Sequence, residues 1–295
     1  MTMPKILLTF LLCWVAQAWL PAPAGAAPIT VCDDTGVTIT LQAPAKRIIP
    51  LYGAYSELLL ALDAGSLLVA RTAADTHLAP LSALPAIGTH MRPNAELIVA
   101  QKPDLILQFA GRREASIQTE ALRALGLNVL TFSLNSFEDI FSVLETLGRL
   151  TAHEAKAKIL RREWQARLVA LHDRYGGQKP VRVFYEVRYP NLLAAGADGI
   201  VNEIISAAGG ENVVREQKKL VRVNEESLIV ADPDVYLVQK GPMNPDPDAL
   251  TARPHFRNLR AVRAGRVVEV AEQRFARPGP GALEAAEDLG RILHP

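Results

Sequence analysis

Two stretches of this 295-residue chain repeat one another at a fixed distance. NAELIVAQKPDLILQ (94–108) and NEESLIVADPDVYLVQ (224–239) share one pattern: Asn, one residue, Glu, six residues, Pro-Asp, then a buried-strand run. Asn94, Glu96, Pro103 and Asp104 correspond to Asn224, Glu226, Pro233 and Asp234 at a constant offset of 130 residues. The pattern has a physical reading. Asn caps a short helix, Glu in the first turn complements the helix dipole, and Pro stops the helix before the strand. A chain that carries this unit twice is expected to build one architecture twice. The glutamates also admit a functional reading, because one exposed carboxylate per copy is what a two-fold symmetric partner would grip.

The rest of the sequence fits that constraint. Strand-like RIIPL (47–51), LLVAR (67–71), DLILQF (104–109) and NVLTF (128–132) alternate with helix-like YSELLLALDAG (55–65), NAELIVAQ (94–101), EASIQTEALRALG (114–126) and SFEDIFSVLETLGRL (136–150). Gly65 and Gly126 are expected to close their helices and Ser136 to cap the last one. Such alternation predicts parallel sheets with right-handed crossovers. Residues 152–176 then hold no Pro, and no Gly before Gly176, so one long helix is expected. Alternation resumes with VRVFYEV (181–187), GIVNEIISAAGG (199–210), NEESLIVA (224–231), DVYLVQ (234–239), RVVEV (266–270) and ALEAAEDLGRIL (282–293). The expected division is a first α/β lobe over 27–151, a linking helix over 152–176 and a second α/β lobe over 177–295.

The N-terminus reads as a secretory signal covering residues 1–26. Lys5 is the only charge before Asp33, an uncharged apolar run spans 6–20, and small residues follow at AGAA. The run is shorter than the roughly 18 residues of a membrane span. Leu11 and Leu12 precede Cys13, which is not the small pair of a lipoprotein cleavage site, so no lipid anchor is expected. Cys32 is then the only mature cysteine and has no internal partner. Removal of the signal deletes one Lys and no acid, leaving 31 basic and 31 acidic residues. A balanced charge argues against nucleic acid as a partner.

Several motifs together resemble a known family: RIIPLYGAYSELLLALDAG, IGTHMRPNAELIVAQKPDLIL, AAGGENVV (207–214), VNEESLIVADPDVYLV and RFARPGPGALEAAEDL. In order and spacing they resemble the periplasmic binding proteins of ABC importers for vitamin B12 and ferric siderophores. That resemblance covers essentially all of the chain after the signal. It implies two Rossmann-like α/β lobes with parallel sheets bridged by a single long helix. It also implies a monomer without enzymatic activity or intrinsic cofactor. The implied partner is a dimeric inner-membrane permease with its ATPase subunits. The resemblance places Glu96 and Glu226 where the family's lobes dock onto permease arginines.

In open α/β sheets ligands bind beyond the carboxyl ends of the strands. Those loops hold Tyr52, Tyr55, His77, His90, Met91, Arg92, Arg112 and Arg113 in the first lobe. In the second they hold Arg188, Tyr189, Lys240, Met243, Gln273, Arg274 and Arg277. Arginine forks suit an anionic ligand, and Tyr and His can both ligate ferric iron or haem. The resemblance sets His90 facing the chelate, touching it or acting as a metal ligand. The B12-binding pattern has a Trp near the His90 position and an apolar, aromatic cleft, whereas these loops are polar and basic. That departure favours a negatively charged chelate, a ferric siderophore before haem or a corrinoid. A chelatase-like enzyme and a free-metal scavenger are the alternatives. GxSxG, P-loop GxxxxGK[ST] and HExxH are all absent from the sequence, and so is a His-rich tract. Asp75 and His77 form a D-x-H pair.

Overall fold

The computed structural model describes residues 27–111 and 113–295. The signal segment 1–26, with its cleavage and anchor readings, and Arg112 lie outside the described residues. The first elements among the described residues form a hairpin, β1 (Ile29–Cys32) against β2 (Thr38–Leu41), which the sequence did not announce. Then follow β3 (Ile48–Pro50), α1 (Gly53–Ala61), α2 (Ala95–Ala100), β4 (Leu105–Phe109), α3 (Arg113–Ala124), β5 (Val129–Phe132) and α4 (Phe137–Thr151). Strands β3, β4 and β5 form a parallel sheet in that order. LLVAR does not become a strand. It touches the sheet only through a bridge from Leu68 to Ile48, and Arg71 bridges to Ala86. Gly65 does not close α1 either. The turn at the end of α1 is made by Asp63 in the left-handed region (φ 61°), and Gly65 opens a short 3-10 turn.

Two helices, α4 and then the longer α5 (Glu154–Tyr175), lie between the last strand of this sheet and the first strand of the next. The 22 residues of α5 would span about 33 Å at 1.5 Å per residue. Its fully buried positions, Ala157, Trp164, Leu171 and Tyr175, recur at sevenfold and fourfold spacing and so lie along one stripe. Its ion pairs change partner along its length. Arg161 pairs with Glu138 and Glu145 of α4, whereas Arg167 pairs with Glu287 near the chain's end.

The second half contains β6 (Val181–Arg188), β7 (Leu193–Ala195), α6 (Ile200–Ala207), β8 (Gly210–Asn212), β9 (Leu220–Arg222) and α7 (Glu225–Ala231). It continues with β10 (Val235–Lys240), α8 (Arg260–Arg263), β11 (Val267–Ala271), α9 (Glu272–Phe275) and α10 (Gly281–Leu293). Its sheet runs β11-β10-β6-β7-β9, with β8 also on β6. The β8, β6, β10 and β11 pairings are parallel as expected, but β7 and β9 add antiparallel strands on the other side. A buried hydrophobic core is continuous from Ile48 and Leu105 through Leu144, Trp164 and Tyr175 to Val183, Leu237 and Leu289.

The repeat is structural as well as sequential. Asn94 accepts from Leu97 N at 3.0 Å and Asn224 from Ser227 N at 2.7 Å, so both cap their helices. Lys102 and Asp232, again 130 residues apart, are both left-handed, at φ 47° and 36°. Asp104 accepts from Arg47 N at 3.0 Å and Asp234 from Arg182 N at 3.1 Å, tying each repeat to the strand beside it. Arg47 and Arg182 each donate to a carbonyl at the end of the capped helix, Gln101 O and Ala231 O. From 92 to 100 and from 222 to 230 the order of exposed, half-buried and buried positions is the same at every step. Glu96 and Glu226 are exposed in both copies.

Candidate functional site

The loop after β3 starts the site. Tyr52 is half-buried, and its ring lies 4.7 Å from Phe109, the last residue of β4, at an interplanar angle of 33°. His90 meets Tyr52 edge-on at 5.8 Å. The His90 carbonyl accepts from buried Gln108 Nε2 at 3.1 Å, which pins the 88–92 loop to the strand end. The structure therefore brings His90, Tyr52 and Phe109 into one row of rings. Met91 is half-buried in the same loop and Arg92 is exposed.

Contacts between the two halves flank this row. On one side Arg277, in the loop after α9, donates to Glu57 Oε1 of α1 at 2.7 Å. The same guanidinium lies 3.1 Å from His77 Nε2. His77 Nδ1 lies 3.0 Å from the Ala74 carbonyl, so it must carry the proton, leaving Nε2 to accept from Arg277. Gly53 makes the approach possible. A Cβ there would sit 2.6 Å from Asp75 Oδ1 and 3.0 Å from the Arg277 guanidinium carbon. Asp75 is fully buried and accepts from Ser56 and both Thr72 donors through Oδ2. The D-x-H pair is thus split: Asp75 caps its own turn while His77 meets an arginine. On the other side Lys219, just before edge strand β9, places its ammonium 4.5 Å from the centre of the Phe109 ring.

The second half also holds Tyr189, over which the Arg253 guanidinium stacks at 3.9 Å. Arg253 is paired with buried Glu186 through both terminal nitrogens. Glu186 also accepts from the Tyr236 hydroxyl at 2.6 Å. Burial together with the Glu186 carboxylate drives the Tyr236 phenol well above its usual range, so it serves as a fixed donor. Arg188 is half-buried at the end of β6, and its Nε has no hydrogen-bond partner among the described residues.

Two expected site residues are placed elsewhere. Tyr55 is completely buried, and its hydroxyl donates to the carbonyls of Phe132 at 2.8 Å and Gln108 at 3.2 Å. It is a core residue on the inner side of α1, and burial raises its phenol well above the usual value. Arg274 turns to α10, where Asp288 and Glu284 hold its guanidinium. Sequence reasoning missed Glu57, Lys219 and Arg253. Glu57 is the one charged residue within α1, a signal that was available; Lys219 and Arg253 carry no local signature. Among the described residues no group of three His, Cys, Asp or Glu side chains converges to hold a metal ion. No helix among them is long and apolar enough to cross a membrane.

One unit carries a parallel sheet and the other a mixed sheet, and each presents loops at the carboxyl ends of its parallel strands, where ligands of open α/β sheets bind. A family model described as periplasmic binding protein matches residues 48–273, and the chain belongs to that family. It is 26% identical over 274 residues to an ABC transporter substrate-binding lipoprotein of Bacillus subtilis, covering 91% of this chain and 86% of the relative. It is also 26% identical over 270 residues to the vitamin B12-binding protein of Yersinia pestis, covering 91% and 92%. In fold it resembles the ABC-type Fe3+-hydroxamate transport protein of Saccharomonospora viridis, with TM-score 0.74 and 24% identity over 91% of this chain and 100% of the other. A binding protein, not an enzyme, is what this family membership supports.

Proposed function

We propose that the protein is the substrate-binding component of an ABC importer. It captures a metal chelate and hands it to a dimeric permease served by ATPase subunits. The doubled acidic helix carries this reading. Helices α2 and α7 have matching caps, matching exposure and one outward glutamate each, 130 residues apart. Paired carboxylates on paired elements fit a two-fold symmetric partner with basic residues at its surface. Exposed ion pairs contribute only about 0–1 kcal/mol each, which suits a transient complex whose charges steer encounter and fix register.

The corresponding division of the chain is a signal over 1–26, a lobe over 27–151, a linking helix over 152–176 and a lobe over 177–295. The signal directs the protein to the periplasm, where it acts as a monomer. The ligand lies on the Tyr52, His90 and Phe109 row, with Met91, Arg92 and Arg112 from the first lobe and Arg188 and Tyr189 from the second. His77 and Arg277 close one side. His90, in line with Tyr52 and Phe109, meets the metal or its chelator in this reading. Relatives named for B12 and Fe3+-hydroxamate support a metal chelate as ligand; the basic loops favour a ferric siderophore, then haem, then a corrinoid.

The test is to purify the protein from its native compartment and record its absorption spectrum and metal content. Iron with a visible charge-transfer band identifies a siderophore, a Soret band haem, and cobalt with corrin bands a corrinoid. A protein that arrives empty and binds none of these in titration overturns the proposal.

A further inference from the structure

We infer that Lys219 is the residue through which the second half of the protein selects a negatively charged chelate over a neutral one. The inference rests on the chelate-binding reading and names the ligand class it implies.

The position of Lys219 is fixed from its backbone outward. The loop that carries it lies against the 196–198 turn, held by Gly196 N to Lys219 O at 3.1 Å, Ala197 N to Glu216 O at 2.8 Å and Asp198 N to Lys218 O at 3.3 Å. Gly196 is required for that approach, since a Cβ there would sit 2.1 Å from Lys218 O. The lysine stem then passes Gly199, where a Cβ would be 3.5 Å from Lys219 Cγ. The ammonium ends over Phe109, on the other half of the protein.

Its surroundings leave the charge poorly matched. Among the described residues no carboxylate lies within ion-pair distance of Lys219. Burial pushes its amine below the usual lysine value, while Asp198 and Asp139 pull it back only in part. What the ammonium has instead is an aromatic face, a weaker partner than a charge-assisted hydrogen bond. That face is one end of the Phe109, Tyr52 and His90 row.

A ligand that settles on these rings must displace the ammonium from Phe109 or bind beside it. A chelate with a free carboxylate or catecholate oxygen offers the ammonium a stronger partner than the one it leaves. A neutral chelate offers none and strands a half-buried cation. Attraction to one class and a penalty against the other act together, which is how a single side chain discriminates. Loop anchoring keeps the ammonium positioned beforehand, so less ordering is required on binding.

The experiment titrates four probes into wild type, K219Q and K219R: a ferric tris-catecholate, haemin, a neutral ferric tris-hydroxamate and cyanocobalamin. Thermal unfolding and circular dichroism first establish that the variants are folded. Wild type is expected to prefer at least one anionic probe. K219Q should weaken that probe by roughly tenfold or more, flatten the salt dependence of its Kd and leave neutral probes within about twofold, while K219R keeps most of the affinity. If chelates bind but K219Q shifts anionic and neutral probes alike, or shifts neither, the inference is wrong and the chelate reading survives. Wild-type preference for a neutral probe also overturns it. If wild type binds no probe, the chelate reading itself falls and takes this inference with it.

Discussion

Arg277 and Glu57 are 220 residues apart in the chain, yet Arg277 Nη1 donates to Glu57 Oε1 at 2.7 Å. The pair joins a loop after edge strand β11 to a helix after edge strand β3. It is largely shielded, with side-chain exposures of 12% and 19%. Breaking it with E57Q is expected to cost about 1–2 kcal/mol. A double-mutant cycle with R277M should return a coupling of that size, and small-angle scattering should report looser packing between the halves. Additive effects with no coupling would show that the contact contributes nothing in solution.

The caps of the repeat should act as equals. N94A and N224A each remove a side-chain acceptor from the first turn of a short helix, so each should cost about 1 kcal/mol. Because the two helices belong to different sheets, urea denaturation of the double variant should give close to the sum.

Docking is separable from ligand capture. Reversing both exposed carboxylates, E96K with E226K, should abolish uptake by the cognate importer while leaving chelate affinity and thermal stability near wild type. Each single reversal should be intermediate. Unchanged uptake in the double variant would remove the glutamates from the docking surface.

Glu186 and Arg253 form a buried pair, with side-chain exposures of 0% and 3%. Replacing one partner alone, as in R253M, leaves an uncompensated buried charge and should cost about 3–5 kcal/mol. The same change removes the guanidinium stacked on Tyr189. R253M should therefore lower both the unfolding midpoint and, at temperatures where it remains folded, chelate affinity. E186Q combined with R253M should recover part of the stability.

Acid should act through Asp33. Burial by itself would raise its carboxyl, but hydrogen bonds from Thr35, Val37 and Thr131 outweigh that and hold it below the ordinary 3.8. Arg123 also donates to it at 2.6 Å. A depressed folded value means that this stabilisation is complete above the unfolded pKa of ~3.9. It is lost as pH falls through the folded value. D33N should flatten the fall of stability below about pH 4 relative to wild type, as read by urea midpoints across pH.

Much of the fold was legible because its signals are local. A cap, a first-turn glutamate, a Pro-Asp stop and a buried run act within a dozen residues, so the repeat at 94 and 224 announced paired units before any coordinate. The absence of Pro and Gly from 152 to 175 likewise announced the helix seen as α5. LLVAR misled for the opposite reason. Its apolar content suits a strand, but only Leu68 pairs beside edge strand β3, and three residues on, the chain has left the sheet, so that Arg71 bridges to Ala86 instead. Tyr55 misled too, since sequence cannot tell a loop-facing from a core-facing turn at the start of α1.

By itself the sequence determined the class of architecture, the doubled acidic helices and the loops that reach the strand ends. Only the tertiary structure decided which side chains from those loops meet. Arg277 finds Glu57 and His77, Lys219 finds Phe109, and Arg274 is drawn off to α10. The reason is geometric. Local rules place a residue on its element, whereas sheet order and the packing of α5 set the distance between elements, and electrostatic partnership falls off within a few ångströms.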